Sequence, residues 1–117
     1  MRRPEQDIQK AVILHLNARA VPSVFFWHTP NGGRRGIVEG RALKAMGMTA
    51  GIPDLLILKA GALYALELKA PTGTLTPSQR LTMAVMEGCG ASVAVAHSLE
   101  EALVTLEFWG ILKRGGR

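Results

Sequence analysis

The sequence predicts an α/β sandwich built around one mixed β-sheet. A helical apolar stripe opens the chain. Four short strand-like runs follow, two of them back to back around a Gly-containing break. Capped helical segments separate the rest, in the order α β α β β α β α.

Taken in order, the first helix is expected over residues 4–20. Pro4 suits the first helical turn, where its missing N–H is not needed, and Ile8, Val12 and Leu16, flanked by Ala11 and Ile13, mark a buried side. "VFFWH", residues 24–28, has the β-branched and aromatic composition of a strand. "TPNGGRRG" reads as a loop, and residues 38–46 as a short helix ended by Gly47. Residues 54–59 and 63–69 are two strands, with the loop "APTGTLT" after them. "TPSQ" then opens a helix over residues 77–87, with Thr76 as N-cap, Pro77 at the first position and Gln79 placed to close a capping box. "GCG" ends it, "SVAVA" at 92–96 is the last strand, and Ser98 with Glu101 caps a final helix running to Trp109.

A chain of 117 residues with 48% hydrophobic content suits one domain, residues 1–117, with a real core. The charged start "MRRPEQDIQK" shows no secretory signal, and no apolar run reaches the length of a membrane span, so no membrane partner and a cytoplasmic location are expected. One cysteine, Cys89, excludes an internal disulfide and a multi-cysteine zinc site; in "MEGCGAS" it reads as a small residue at a helix end. The net charge of +5 favours polyanionic partners. The charge gathers in two places: Arg34, Arg35, Arg41 and Lys44 after "TPNGG", and a basic, flexible tail at 113–117.

The informative stretch is "GIPDLLILKAGALYALELKAP", residues 51–71, a hairpin made for a core yet set with Asp54, Glu67 and Lys69. A turn centred on Ala60-Gly61 pairs residues whose numbers sum to 121, which puts Asp54 opposite Glu67. Opposed side chains have Cβ atoms roughly 4.5–5.5 Å apart, so two carboxylates there repel unless a cation sits between them. A bulge at Gly61 would instead make the pair diagonal, still within reach of one ion. Glu67 and Lys69, two apart on a strand, share a face, while Leu66 and Leu68 point to the core. Two acids and an ammonium on one rigid surface suit phosphodiester hydrolysis: a hard divalent cation polarises the phosphoryl oxygen and lowers the pKa of a water, and the ammonium positions that water or stabilises charge. The plain alternative is a salt-bridged cluster on a solvent-facing sheet; the apolar flanks and Pro53 just before Asp54 argue against it.

Other positions carry two readings each. Glu5 heads the stripe of Gln9, Val12 and Leu16 and could reach a site at the sheet's rim, or simply favour the positive end of the helix dipole. Gln79 could face a phosphate from the helix start or serve only the capping box. His28 and Asn31 lie where a strand gives way to a basic loop, whose Gly pair admits close phosphate approach and whose Arg34 and Arg35 supply charge; a histidine in an apolar strand is otherwise structural. Met46, Met48, Met83 and Met86 read as core, and Trp27 and Trp109 as packing residues.

"Glu5…Gln9", "HTPNGG", "GIPDLLIL", "ALELKAPTGTLTPSQ" and "SLEEALVTLEFWGI" together resemble the virus-type replication-repair nuclease (VRR-NUC) domain, a branch of the PD-(D/E)xK nuclease superfamily, over nearly the whole chain. The resemblance implies a restriction-endonuclease-like core and DNA cleavage dependent on Mg²⁺ or Mn²⁺. It makes Asp54 and Glu67 metal ligands, with Glu5 and the Leu68 backbone carbonyl completing the site. Lys69 becomes the catalytic lysine, Gln79 the motif glutamine, and His28 and Asn31 residues of the site edge. Family members are associated with phage replication and repair, and small ones resemble homodimers that cut branched DNA such as four-way (Holliday) junctions. The expected activity is therefore a structure-specific DNA endonuclease, a homodimer in a bacterial or phage-infected cell. The final helix with Phe108, Trp109, Ile111 and Leu112 is the nominated interface, though core packing explains those residues equally well. A non-catalytic DNA-binding protein and a nicking or restriction-like nuclease on linear duplex are the alternatives.

Overall fold

The computed structural model describes residues 4–30 and 37–115 of the chain. Its elements follow the expected order: α1 (Pro4–Arg19), β1 (Val24–His28), α2 (Ile37–Ala45), β2 (Leu55–Lys59), β3 (Ala62–Leu68), α3 (Pro77–Gly88), β4 (Ser92–Ala96) and α4 (Leu99–Phe108). The strands form one mixed sheet in the spatial order β1-β2-β3-β4; β1–β2 and β2–β3 are antiparallel, and β3–β4, joined through α3, is parallel. Among the described residues, no helix is long and apolar enough to cross a membrane.

The β2–β3 register decides the geometry of the site. Leu55 pairs with Leu66 and Lys59 with Ala62, so paired numbers sum to 121 along the whole ladder. The connection is the two residues Ala60 and Gly61, with φ of 51° and 78°, as a type I′ hairpin turn requires. No bulge intervenes. The strands are one residue shorter at the critical end than the sequence suggests: Asp54 lies just before β2 and Lys69 just after β3. Backbone bonds carry order past those ends, from Thr29 N–H to the Asp54 carbonyl (2.8 Å) and from Lys69 N–H to the Ala96 carbonyl (2.9 Å).

Side-chain alternation sorts the sheet into a covered face and one covered only in part, with Phe25 and Leu58 exposed on the latter. Leu55, Ile57, Leu66, Leu68 and Ala96 form one core with Val12 and Leu16 of α1 and Ala102 and Leu106 of α4. Ala65 and Glu67 point the other way, toward α3, whose Met83 is buried. The segment after α4 closes the first core: Ile111 and Leu112 are buried, Leu112 bridges to Ala20, and Lys113 N–H donates to the Arg19 carbonyl (2.9 Å). The Arg19 guanidinium donates in turn to the Lys113 carbonyl and pairs with Glu107. Lys113, expected to begin a flexible tail, is thus tied down at both backbone groups.

Several packing expectations need correction. Met83 is core and Met86 half-buried, but Met46 is 82% exposed and Met48 is exposed as well, because the segment after α2 does not fold under the sheet. Of the nominated interface, Ile111 and Leu112 are buried and Trp109 packs on the core beside Tyr64, with ring centroids 5.2 Å apart; only Phe108, 86% exposed, projects outward. Trp27 packs as expected, against Phe25, at 5.5 Å.

Candidate active site

A cleft of about 700 Å³ opens at the end of the sheet where β2 begins and β3 ends. Its walls are Glu5, Gln6, Gln9 and Lys10 from the first turns of α1, His28 and Pro30 after β1, Asp54, then Glu67, Leu68 and Lys69, and Gln79 from α3. Buried Pro53 stiffens the approach to Asp54. Gly51, at φ 81°, lets that approach lie against the start of α3: a Cβ there would sit 2.4 Å from the Ser78 carbonyl oxygen.

Asp54 stands one residue before the Leu55–Leu66 pair and Glu67 one residue after it, near enough for the Asp54 carboxylate to act on the Glu67 carboxyl. Asp54 Oδ2 accepts the Leu68 N–H at 2.9 Å, which fixes that carboxylate to the end of β3. Glu67 is only 3% exposed. Its Oε2 accepts from Gln79 Nε2 at 3.1 Å and lies 3.7 Å from Lys69 Nζ. Its Oε1 is buried with no hydrogen-bond partner among the described residues. Burial first, and then the Asp54 carboxylate, push the Glu67 carboxyl up from 4.5 to about 7, with Lys69 pulling the other way. A buried carboxylate oxygen without a donor, beside a second carboxylate, is an arrangement that a bound cation satisfies and that otherwise draws a proton.

Glu5 lines the same cleft but does not join the pair: among the described residues, no three His, Cys, Asp or Glu side chains come together as a metal cage. His28 is exposed, and its Nδ1 lies 3.1 Å from the Asp54 carbonyl, to which it donates. Arg41 and Lys44 are exposed on α2. Asn31, Arg34 and Arg35 lie outside the described residues.

Gln79 serves the capping box, one of the two readings the sequence left open, and makes a contact that neither reading named. With Thr76 it closes a full capping box, and the same side chain reaches Glu67. Lys10 and Gln6 were missed; one helical turn apart and beside Glu5 and Gln9, they share the cleft-facing side of α1, and that spacing was the available signal.

The VRR-NUC domain family matches residues 3–100. The chain belongs to the VRR-NUC family. This is a nuclease family of the PD-(D/E)xK type, its members typically metal-dependent. A solved structure described as a VRR_NUC domain protein superposes with a TM-score of 0.73 at 18% identity, covering 97% of this chain and 99% of its own. A second, described as a VRR_NUC domain, gives 0.64 at 21% identity over 92% and 99%. At these identities the superpositions speak for the VRR-NUC fold alone. No curated protein sequence matches the chain significantly.

Proposed function

We propose that this VRR-NUC chain is a divalent-metal-dependent DNA endonuclease acting on branched or structured DNA. The observation that carries the reading is Asp54 beside Glu67 at the hairpin's open end, with Glu67 Oε1 buried and without a hydrogen-bond partner among the described residues. Asp54, Glu67 and the Leu68 carbonyl would hold Mg²⁺ or Mn²⁺, hard cations that take one or two carboxylates and fill the remaining positions with water and phosphate. When bound, the cation supplies Lewis-acid polarisation of the phosphoryl oxygen and a more acidic water. Glu5, on the facing wall, would act on the site through water rather than by direct contact.

The protein's own groups do the rest. Lys69, anchored by its backbone at the end of β3, brings an ammonium beside the carboxylates, where it orients the attacking water or stabilises charge developing on the phosphate. His28 and Lys10 line the path of a phosphate backbone into the cleft, and Arg41 and Lys44, with Asn31, Arg34 and Arg35, extend it. In-line attack by water with the 3′-oxygen as leaving group, the superfamily pattern, would leave 5′-phosphate and 3′-hydroxyl ends. A two-fold pair of chains would present two such sites to two strands of a junction. The fitting compartment is the cytoplasm, where DNA and Mg²⁺ meet.

A panel of linear, flap, fork and four-way substrates, each with and without Mn²⁺, tests this. Metal-dependent cleavage favouring the branched substrates supports it; equal cleavage of linear duplex points to a nicking or restriction-like nuclease, and DNA binding without cleavage to an accessory protein.

A further inference from the structure

The capping box at the start of α3 does more than end a helix. Its amide is a rigid plane with a partner at each end: Gln79 Oε1 accepts the Thr76 N–H at 2.9 Å, and Nε2 donates to Glu67 Oε2 at 3.1 Å. The first bond settles the orientation of the second, because the amide oxygen must face the backbone N–H and the NH₂ must then face the carboxylate. Either Gln or Glu satisfies a capping box, but only Gln also presents a donor to a buried carboxylate. The Gln79 amide donor and the Lys69 ammonium both sit at Oε2, while Oε1 has no hydrogen-bond partner among the described residues.

The same helix start is clamped to the chain leading to Asp54. Gly51 packs against the Ser78 carbonyl, and Thr82 Oγ1 donates to the Ala50 carbonyl at 2.6 Å. Both carboxylates are therefore placed with reference to one rigid element, the first two turns of α3.

We infer that Gln79 is a positioning residue of the metal site. Locked by the helix cap, it holds Glu67 Oε2 and leaves Oε1 as the oxygen presented to the cation. This rests on the metal-dependent reading above. On this account Gln79 acts through Glu67 and does not itself contact DNA.

The test is Mn²⁺ titration calorimetry, with thermal unfolding of the metal-free protein alongside, on wild type, Gln79→Met and Thr76→Ala. Both variants damage the cap and should lower the melting temperature by several degrees. Only Gln79→Met removes the donor to Glu67, so it should weaken Mn²⁺ binding by about 10–100-fold, as loss of an outer-sphere partner does. Thr76→Ala keeps the backbone N–H that orients the amide and should bind Mn²⁺ like wild type. Wild-type affinity in Gln79→Met, or equal losses in both variants, overturns the inference and leaves the metal site standing. Absence of Mn²⁺ binding in wild type overturns both.

Discussion

The Asp54 carboxylate accepts the backbone N–H of Leu68 across the open end of the hairpin, at 2.9 Å. An acid placed for chemistry is thus also the group that satisfies a donor at the end of β3. The two roles separate by substitution. Asp54→Asn keeps an oxygen for the Leu68 N–H and should retain near-wild-type stability while losing metal-dependent cleavage. Asp54→Ala leaves that N–H unsatisfied and should cost about 1–3 kcal/mol besides. Denaturant unfolding of the two variants, with cleavage assayed in parallel, measures the difference.

Glu67 makes metal-free stability depend on pH in a definite direction. Its carboxyl titrates near 7 in the fold against 4.5 when unfolded, so between those values the folded state holds the extra proton. The stabilising contribution of the neutral form is fully present below 4.5 and is lost as pH rises to about 7. Glu67→Gln cannot ionise. Its melting temperature relative to wild type, followed in chelator across that window, should climb with pH, by the equivalent of roughly 1–3 kcal/mol above neutrality.

Lys69 lies 3.7 Å from Glu67 Oε2 with its backbone held to β4. Lys69→Met should leave Mn²⁺ binding within a few-fold of wild type while reducing single-turnover cleavage by about 10²–10³-fold, the scale expected for one preorganised group at a developing charge.

The hairpin turn carries avoidable strain. Ala60 sits at φ 51°, a conformation in which an L-residue with a Cβ is disfavoured and Asn is better tolerated. Ala60→Asn should stabilise the protein by about 0.5–1 kcal/mol with unchanged cleavage, since the register it reinforces is already the native one. Thermal unfolding and a cleavage assay check both halves.

The short segment after α4, residues 111–113, is structural. Ile111 and Leu112 are buried and strapped to the end of α1. Removing residues from 111 onward should cost about 3–6 kcal/mol and cooperative folding, whereas removing only those from 114 onward should cost little. Circular dichroism melts of the two truncations tell them apart.

What was legible in the sequence follows from how local the signals are. The hairpin register could be read because a two-residue turn admits one pairing, and the positions of Asp54 and Glu67 follow from it arithmetically. Helix starts at Pro4, Pro77 and Ser98 are encoded within a few residues. The second bond of Gln79 was not legible, because a capping box already explains a glutamine there and the contact to Glu67 exists only once α3 docks on the sheet. Burial of Glu67 was hidden for the same reason: alternation identifies its face but not that α3 covers it. The exposure of Met46 and Met48 shows the limit of composition, since nothing in a methionine says whether an element folds over it.

The most direct test of the central claim is anomalous diffraction from crystals soaked in Mn²⁺. The account predicts a Mn²⁺ peak between the Asp54 carboxylate and Glu67 Oε1, lost in Glu67→Gln. A wild-type crystal in which that position stays empty while Mn²⁺ binds elsewhere, or nowhere, would contradict it.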